Sequence, residues 1–292
     1  MESVKTAMIN YHFLTFLFDL VFSVIVTPYF LAPSFIVSGV GLFEQLGVDP
    51  IVQTCFLTIT VESMFLSALQ IFENRYMVIC DAHWIWGKVR VPWLIWNYAM
   101  VPFFSLPFYL AAPENPKLLK SEVSKKFPCL PSEILDLQFY IINEDLYTAL
   151  YTILAFLVFL NVQLYFFLIK LKQKLKNRGT MSEKTRRMQK TFLRSMHIQM
   201  VIPIPFIVLP LLFFFAEFFF DFYSQKWNNI SVAVCSTFGL FSTLIMLFIH
   251  SPYRSFILSN IREFLNFFGV TFGRKPATVI VVPSVTSRNL DS

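Results

Sequence analysis

Six long apolar stretches constrain the fold of this chain more than any other feature of its sequence. Each is close to the length of about 20 mostly apolar residues that an α-helix needs to cross the hydrocarbon of a bilayer. We label them spans A to F in chain order; they cover residues 7–31, 51–71, 93–112, 147–169, 198–220 and 230–250. Because unpaired backbone groups are not tolerated in lipid, all six stretches are predicted to be helices.

The composition of the chain indicates the same structural class. Hydrophobic residues make up 56% of the 292 residues, charged residues make up only 14%, and 36 residues are phenylalanine. The mean hydropathy is +0.60. Soluble domains contain about 45–50% apolar and about 25% charged residues, so this chain lies outside their range. The sequence predicts an all-α, polytopic protein with the lipid bilayer as its surroundings.

The basic residues predict the orientation of the spans, because cytoplasmic loops of membrane proteins are enriched in Lys and Arg. The connection between spans D and E contains a single acid, Glu183, and many bases: Lys170, Lys172, Lys174, Lys176, Arg178, Lys184, Arg186, Arg187, Lys190 and Arg194. This loop is predicted to be cytoplasmic, and with six spans both termini are then cytoplasmic as well. The same bias accounts for the net charge of +6, and no nucleic-acid-binding motif accompanies it.

The sequence contains no recognisable signature of an enzyme, a metal site or a cofactor site. Its four His residues are scattered without metal-ligand spacing, and there is no nucleophile motif or phosphate-binding loop. A six-span cation channel would need a pore segment between the last two spans, which residues 221–228 cannot supply. A secondary transporter remains an alternative, because acids lie in the middle of two spans.

These two acids are Asp19 in span A and Glu62 in span B. A carboxyl group in the middle of a bilayer costs about 3 kcal/mol or more unless it is paired, hydrated or protonated. Either the two acids form a polar network that changes between an inactive and an active packing, or each is a neutral carboxyl hydrogen-bonded between helices. Both interpretations remain open at this point.

Span E and the end of span B each contain a local irregularity. Span E contains Pro203, Pro205 and Pro210, each of which removes a backbone hydrogen bond, so a kink is predicted that is either passive or a hinge. Span B ends in the charged stretch "FENRYMV", residues 72–78. Arg and Tyr at a membrane interface serve as anchors, which is one explanation of that stretch.

A second explanation follows from the order of several blocks along the chain. These are "HFLTFLFDLVFSVIVTPYF" in span A, "FENRYMV" ending span B, "FPCLP" in the long outer loop, "MSEKTRRMQKTFLRSMHIQMVIPIP" leading into span E, and "HSPYRSF" ending span F. Together they cover most of the chain. The sequence resembles nematode serpentine chemoreceptors of class H (Srh), a divergent family of G-protein-coupled receptors.

The resemblance implies roles for particular residues. Asn74, Arg75 and Tyr76 look like the acid-Arg-Tyr motif that closes the third helix of rhodopsin-like receptors, and this implies a part in G-protein coupling. Glu73 shares the implied part in coupling, but it is displaced from the position of the acid by one residue, about 100° around the helix, so a Glu–Arg pair within the helix cannot be assumed. Conformational-switch roles are implied for the following residues: Asp19, Glu62, Pro203, Pro205, Pro210, Pro252 and Tyr253. A disulfide is implied between Cys55 and Cys129.

The resemblance also implies the overall organisation. "MESVKTAMINYHF" resembles the first cytoplasmic loop running into the second helix of such receptors, so spans A to F correspond to helices two to seven of a seven-span bundle, and the first helix is expected to be absent. Residues 1–269 would form the bundle, with an amphipathic interfacial helix at 255–268, and residues 270–292 a disordered cytoplasmic tail.

In function, the resemblance implies a chemosensory receptor in the plasma membrane of a sensory cilium. A small odorant or pheromone-like molecule would bind in the outer half of the bundle between spans B, D, E and F. The partners would be that ligand, the lipid membrane and a heterotrimeric G protein, with no cofactor.

Overall fold

Helices dominate the computed structural model, which describes residues 2–31, 36–80, 86–110, 121, 125, 140–141, 146–176, 182–249 and 251–267. In chain order the α-helices are α1 (Glu2–Leu20), α2 (Leu42–Gln45), α3 (Pro50–Cys80), α4 (Trp86–Leu110), α5 (Leu146–Lys176), α6 (Glu183–Val201), α7 (Leu209–Phe219), α8 (Gln225–Cys235), α9 (Phe238–Ile249) and α10 (Ser251–Phe267). Two π-helical turns add Val21–Ile25 to the end of α1 and Ile204–Val208 between α6 and α7. The predicted helical membrane bundle is confirmed.

The helices differ in how closely they match the predicted spans. Within the described residues, Thr6–Ile25, Pro50–Cys80 and Leu150–Lys176 are each long and apolar enough to cross a membrane, and α8 with α9, bent by 41°, forms a fourth candidate. Span C corresponds to α4, which is long but contains three prolines together with Trp and Tyr residues. Span E is divided among α6, a π-helical turn and α7.

Span A ends earlier than its hydropathy predicts. The helix stops at Ile25, and residues 28–31 form a strand. The N–H groups of Val26 and Thr27 both bond to the carbonyl of Val21, Thr27 has a positive φ of 46°, and Pro28 cannot continue the helical hydrogen bonding. The prediction of a helix over all of residues 7–31 is therefore wrong at its end, where the chain turns into a β-hairpin.

This hairpin belongs to a three-stranded sheet in the described part of the chain. Its two strands have four residues each, and the third strand has two. Strand β1 (Pro28–Leu31) pairs antiparallel with β2 (Ile36–Gly39), in a register that places Pro28 opposite Gly39. Strand β3 (Tyr140–Ile141) pairs antiparallel with the other side of β2. Strand β2 is buried along its whole length. It packs against α3, and the residue after it, Val40, bonds to the Val26 carbonyl just beyond the end of α1.

Helix α3 is at the centre of the bundle and packs against α1, α4 and α5. Leu69 and Phe72 of α3 belong to a core that also includes residues of four other helices. These are Tyr11 of α1, Val101 of α4, Phe167 of α5 and Met196 of α6. A second core joins α1 to α8 and α9 through Phe18, Met64, Cys235 and Phe238. Most of the contacts described below therefore involve α3 or a helix that packs against it.

Residues 250–292 form a separate compact unit, of which the structure describes α10. The predicted helix at 255–268 is present and begins earlier, at Ser251. Phe256, Leu258, Ile261 and Phe264 are exposed on it. Its placement on the inner leaflet stays a prediction, and the predicted tail at 270–292 lies outside the described residues.

The closeness of the hairpin to α1 generates a prediction about stability. A Cβ added to Gly41 would lie 2.6 Å from the Val24 carbonyl oxygen and 2.7 Å from that of Ile25. Because both atoms belong to the backbone, Gly41→Ala must shift the segment that joins β2 to α2 away from the end of α1, at a cost of about 1–3 kcal/mol. We expect a lower midpoint of thermal unfolding for this variant in detergent micelles.

The matched control is Gly87→Ala at the start of α4, because a Cβ at Gly87 would meet no atom within 4 Å. Its midpoint should equal or slightly exceed that of the parent, since Ala is the better helix former. Equal midpoints for the two variants would contradict the tight packing of the hairpin against α1.

Candidate functional site

Glu73, near the end of α3, has a fully buried side chain (0% exposed). Trp86 Nε1–H donates a hydrogen bond of 2.8 Å to Glu73 Oε1, and Arg90 Nε lies 3.2 Å from the same oxygen. Trp86 and Arg90 are one turn apart at the start of α4. A buried carboxylate carries a large desolvation cost unless it is paired and hydrogen-bonded, so the hydrogen bond from Trp86 and the ion pair with Arg90 hold the end of α3 against the beginning of α4.

Aromatic rings surround this ion pair. The ring of Tyr76 lies 5.6 Å from that of Trp86 and 5.5 Å from that of Phe167 on α5. Trp93 completes the cluster at 5.6 Å from Phe167. Asn74 is buried and Arg75 is partly buried. Glu73 and Tyr76, two of the four residues predicted for G-protein coupling, therefore lie where α3, α4 and α5 meet, and the Glu73 carboxylate is directed to α4.

Three further polar contacts join α3 to α4 in the described part of the chain, one of them between Thr58 Oγ1 and Ser105 Oγ at 3.2 Å. Gln70 Nε2–H donates to Tyr98 Oη at 2.9 Å. Ser105 Oγ–H donates to Glu62 Oε2 at 3.2 Å. Residues 62 and 73 are 11 positions apart, close to three full turns of an α-helix, so both carboxylates lie on the same face of α3. Helix α4 is thus tethered to α3 by one carboxylate near the middle of α3 and by another near its end.

An apolar cavity of about 420 Å³ lies beside the first of these carboxylates. It is lined by residues of α1, the hairpin, α3, α5, the π-turn before α7, α7 and α8. They include Thr54, Thr58, Val61, Glu62, Pro210 and Cys235. The volume lies within the range of about 300–1,000 Å³ that small-molecule sites occupy. Most of the wall is Phe, Leu, Ile and Val, and Glu62 is its one acidic residue among the described lining residues.

Asp19 caps a broken helix. The break between α8 and α9 leaves the first N–H groups of α9 without helical partners. Gly239 N–H donates to Asp19 Oδ1 at 2.7 Å, and Leu240 N–H donates to Asp19 Oδ2 at 2.9 Å. A carboxylate at a helix N-terminus is also favoured by the helix dipole. Asp19 therefore satisfies two backbone donors that would otherwise be unpaired inside the bundle, and it joins α1 to α9.

The three prolines of span E surround the π-helical turn. Pro203 precedes this turn, Pro205 lies within it, and Pro210 lies in the first turn of α7. Pro210 also lines the cavity. Of the other predicted switch residues, Pro252 and Tyr253 belong to α10, where the side chains lie outside the described part.

The predicted disulfide joins a described residue to one that is not described. Cys55 is half-buried and carries a free thiol, and Cys129 lies outside the described residues. The disulfide between them stays a prediction.

Sequence reasoning missed several residues of this site. Trp86, Arg90 and Ser105 belong to it, and the sequence alone does not single out any of the three. The spacing of Trp86 and Arg90, one turn apart directly after a short connection, could have indicated that they face the end of span B. No comparable signal existed for Ser105, because small polar residues in a span are common.

The cap on α9 generates a prediction. Asp19→Ala removes the acceptor for two backbone N–H groups of α9, and a backbone donor left unsatisfied away from water costs about 1–3 kcal/mol. Gly239→Ala would place a Cβ 2.7 Å from Asp19 Oδ2 and from the Thr15 carbonyl oxygen, which must separate α1 from α9. We expect both variants to lower the thermal unfolding midpoint, and the double variant to lower it by less than the sum of the two.

Ser23→Ala is the control for this series, because Ser23 lies one turn further along the same helix, is exposed, and donates only to the Asp19 backbone carbonyl. Its midpoint should remain close to that of the parent. An Asp19→Ala midpoint equal to that of Ser23→Ala would show that Asp19 does not cap α9.

Comparison with known proteins places this arrangement in a family. The chain matches the family "Serpentine type 7TM GPCR chemoreceptor Srh" over residues 1–263. It is similar to "Serpentine receptor class H-72" of Caenorhabditis elegans, with 25% identity over 275 residues that cover 89% of this chain and 76% of that receptor. No solved structure matches the chain. Because the family match covers most of the sequence, the chain belongs to the Srh family of serpentine, multi-pass chemoreceptors.

Proposed function

We propose that this protein is a chemosensory receptor that binds a small molecule in the apolar cavity and activates a heterotrimeric G protein at the cytoplasmic end of α3. The observation that carries the proposal is the arrangement of α3 itself. One of its carboxylates, Glu62, lines the cavity, and another, Glu73, is buried at the other end of the helix. The two are separated by roughly 16 Å along the axis.

The shared partner of the two carboxylates suggests how binding is transmitted. Glu62 holds Ser105 and Glu73 holds Trp86 and Arg90, and all three partners belong to α4. A ligand that changes the contact between Glu62 and Ser105 alters the position of α4 against α3. Because Glu73 is buried and anchored to the first turns of α4, this movement would loosen its pair with Arg90 and change the surroundings of Arg75.

The remaining switch residues fit the same account. Asp19 and the proline-containing segment are both next in sequence to members of the second core, since Phe18 precedes Asp19 and Ile202 precedes Pro203. We propose that the π-turn after α6 acts as a hinge and that the Asp19 cap on α9 keeps α1 and α9 together while it moves. Pro252 and Tyr253 are proposed as part of this switch on the resemblance alone.

The proposed orientation places the ion pair of Glu73 in the cytoplasm. The end of α5 and the start of α6 carry the basic residues of the loop between spans D and E, and cytoplasmic loops are basic. The C-terminus is then cytoplasmic as well. The proposed location is the plasma membrane of a sensory cilium, as expected of a chemosensory receptor.

Nucleotide exchange on a heterotrimeric G protein, with the full chain in lipid nanodiscs, tests the proposal. Arg75→Ala should reduce exchange to the level without receptor. Glu73→Gln and Arg90→Gln should each raise basal exchange a few-fold, because they break the same tether. The variant with both changes should resemble the single variants, since two residues that act through one contact are not additive.

The control is Arg187→Gln, which breaks an exposed ion pair of Arg187 Nε with Glu183 Oε1 at 3.5 Å. Arg187 is 81% exposed, and exposed pairs contribute little. Glu183 also keeps its hydrogen bond from Arg186, which lowers the pKa of the Glu183 carboxyl below its ordinary value. Exchange by this variant should equal that of the parent.

Two results would contradict the proposal. If Arg75→Ala catalyses exchange like the parent, the charged end of α3 is an interfacial anchor only. If the parent catalyses no exchange with any G protein and instead moves a labelled solute across liposome membranes, the protein is a transporter.

A further inference from the structure

One side of the apolar cavity reaches the lipid-facing surface of the bundle, between α5 and α7. We infer that the ligand is a small, uncharged, mostly hydrocarbon molecule that dissolves in the bilayer and enters the cavity from the outer leaflet, through this opening. The inference rests on the proposed function, because it assigns the ligand class and the entry route of the same cavity.

Three leucines line the cavity and are also exposed. Leu154 and Leu157 of α5 are 53% and 38% exposed, and Leu212 of α7 is 56% exposed. Other lining residues, such as Phe18 of α1 and Cys235 of α8, are buried, so contact with the cavity alone gives a side chain little accessible surface. The three leucines are therefore exposed mainly on the outside of the bundle. We call the opening that they border the lateral mouth.

The packing of the helices explains why the cavity is open on this side. Helix α5 packs against α3 and α4, whereas α7 packs against the π-turn before it and against α8. Within the described residues, α5 and α7 share no packing of comparable extent. Both helices line the cavity, so the lateral mouth lies where these two groups of helices do not meet.

The lateral mouth lies at the depth of the acyl chains of the outer leaflet. In the predicted orientation span D begins on the outer side, and Leu154 and Leu157 lie roughly 10–15 Å along the helix from that end. Leu212 lies roughly 12 Å from the outer end of span E. The hydrocarbon of a bilayer is about 30 Å thick, so all three leucines face lipid chains of the outer leaflet.

The described strands of the hairpin cover the cavity at its outer end. Phe30 of β1 and Val37 of β2 line it, and the Phe30 ring lies 4.9 Å from the ring of Phe214 on α7. Val37 is buried. Entry past these strands requires the hairpin to move away from α7, whereas the lateral mouth is open to lipid without such a movement.

The wall of the cavity favours an uncharged ligand. Most of it is Phe, Leu, Ile and Val. Its acid, Glu62, accepts a hydrogen bond of 3.2 Å from Ser105, which belongs to α4, a helix absent from the described wall. The Thr58 hydroxyl contacts the Cys55 carbonyl oxygen at 3.1 Å and Ser105 Oγ at 3.2 Å. A charged head group would lose its hydration here without gaining a partner of opposite charge.

One photoreactive group in two carriers tests the route, with the full chain in nanodiscs. The free carrier is an octanol with a diazirine on its chain, and the lipid carrier is a phosphatidylcholine with the same diazirine in the middle of one acyl chain. Because the choline head group stays at the interface, this chain reaches the interior only sideways. After irradiation, mass spectrometry should find both carriers attached to the buried residues Phe18 and Cys235.

A bulky residue at the lateral mouth should block the lipid carrier. Leu154→Trp and Leu212→Trp, on opposite sides of the mouth, should each reduce its attachment to Phe18 and Cys235 several-fold. The matched control is Val158→Trp, because Val158 lies one turn further along α5, is also 53% exposed and does not line the cavity. Its attachment should equal that of the parent.

Competition tests the ligand class in the same assay. Unlabelled 2-octanol should reduce the attachment of both carriers to Phe18 and Cys235. Octyltrimethylammonium has a chain of the same length and a permanent charge, and it should not compete. Equal competition by the two compounds would overturn the preference for uncharged ligands. Attachment of the lipid carrier that excess 2-octanol does not reduce would identify a lipid chain as the occupant and also overturn the ligand class.

The remaining outcomes separate the route from the cavity itself. If the free octanol reaches Phe18 and Cys235 while the lipid carrier attaches only to outward residues such as Val158, entry through the bilayer is overturned and the cavity stays the ligand site. Equal attachment of the lipid carrier in all three Trp variants would overturn the lateral mouth. If neither carrier reaches the two buried residues, the entry route and the proposed use of the cavity both fail.

Discussion

A carboxylate inside a membrane protein must find its hydrogen-bond donors within the protein, and this constraint organises the bundle. Glu73 finds them on α4, and Asp19 finds them in the first N–H groups of α9. Each acid thereby fixes one neighbour against the helix that carries it. Because the surrounding lipid offers no alternative partner, these contacts select particular helix pairs in a way that apolar packing alone does not.

Glu62 differs from the other two acids in having only one hydroxyl donor and a cavity beside it. Glu73 receives an indole hydrogen bond and an ion pair, and Asp19 receives two backbone hydrogen bonds, whereas Glu62 receives one hydrogen bond from Ser105. A ligand packed against Glu62 would shift its contact with Ser105, and α4 would then carry the change along the face that also contacts Glu73.

The sequence predicted the class and most of the helices, because long apolar stretches leave few alternatives in a bilayer. It also singled out Asp19, Glu62 and Glu73, since acids in or at the end of such stretches are rare. The partners were not predictable in the same way. Ser105 and Arg90 are distant in sequence from the acids that they contact, and no local pattern specifies which faces of α3 and α4 meet.

The hairpin shows where hydropathy misleads. Residues 28–31 continue the apolar run of span A without interruption, so length and hydropathy extended the helix through them. Pro28 and the β-branched residues before it were the available signals of a change to strand. The break between α8 and α9 was harder to predict, because nothing in that stretch interrupts the apolar pattern strongly and its stabilisation comes from Asp19, a residue far away in sequence.

Thermodynamic linkage tests most directly whether the cavity and the cytoplasmic end of α3 are coupled. If they are, a nucleotide-free G protein must change the affinity of the cavity for a small molecule by the factor with which that molecule changes affinity for the G protein. The decisive measurement is the dissociation constant of tritiated 2-octanol, used as a small apolar probe of the cavity, for the nanodisc-bound chain with and without saturating G protein. The account predicts a change of about fivefold or more, which Arg90→Gln reduces and Arg187→Gln leaves intact. An identical dissociation constant under both conditions, with the G protein demonstrably bound, would contradict it.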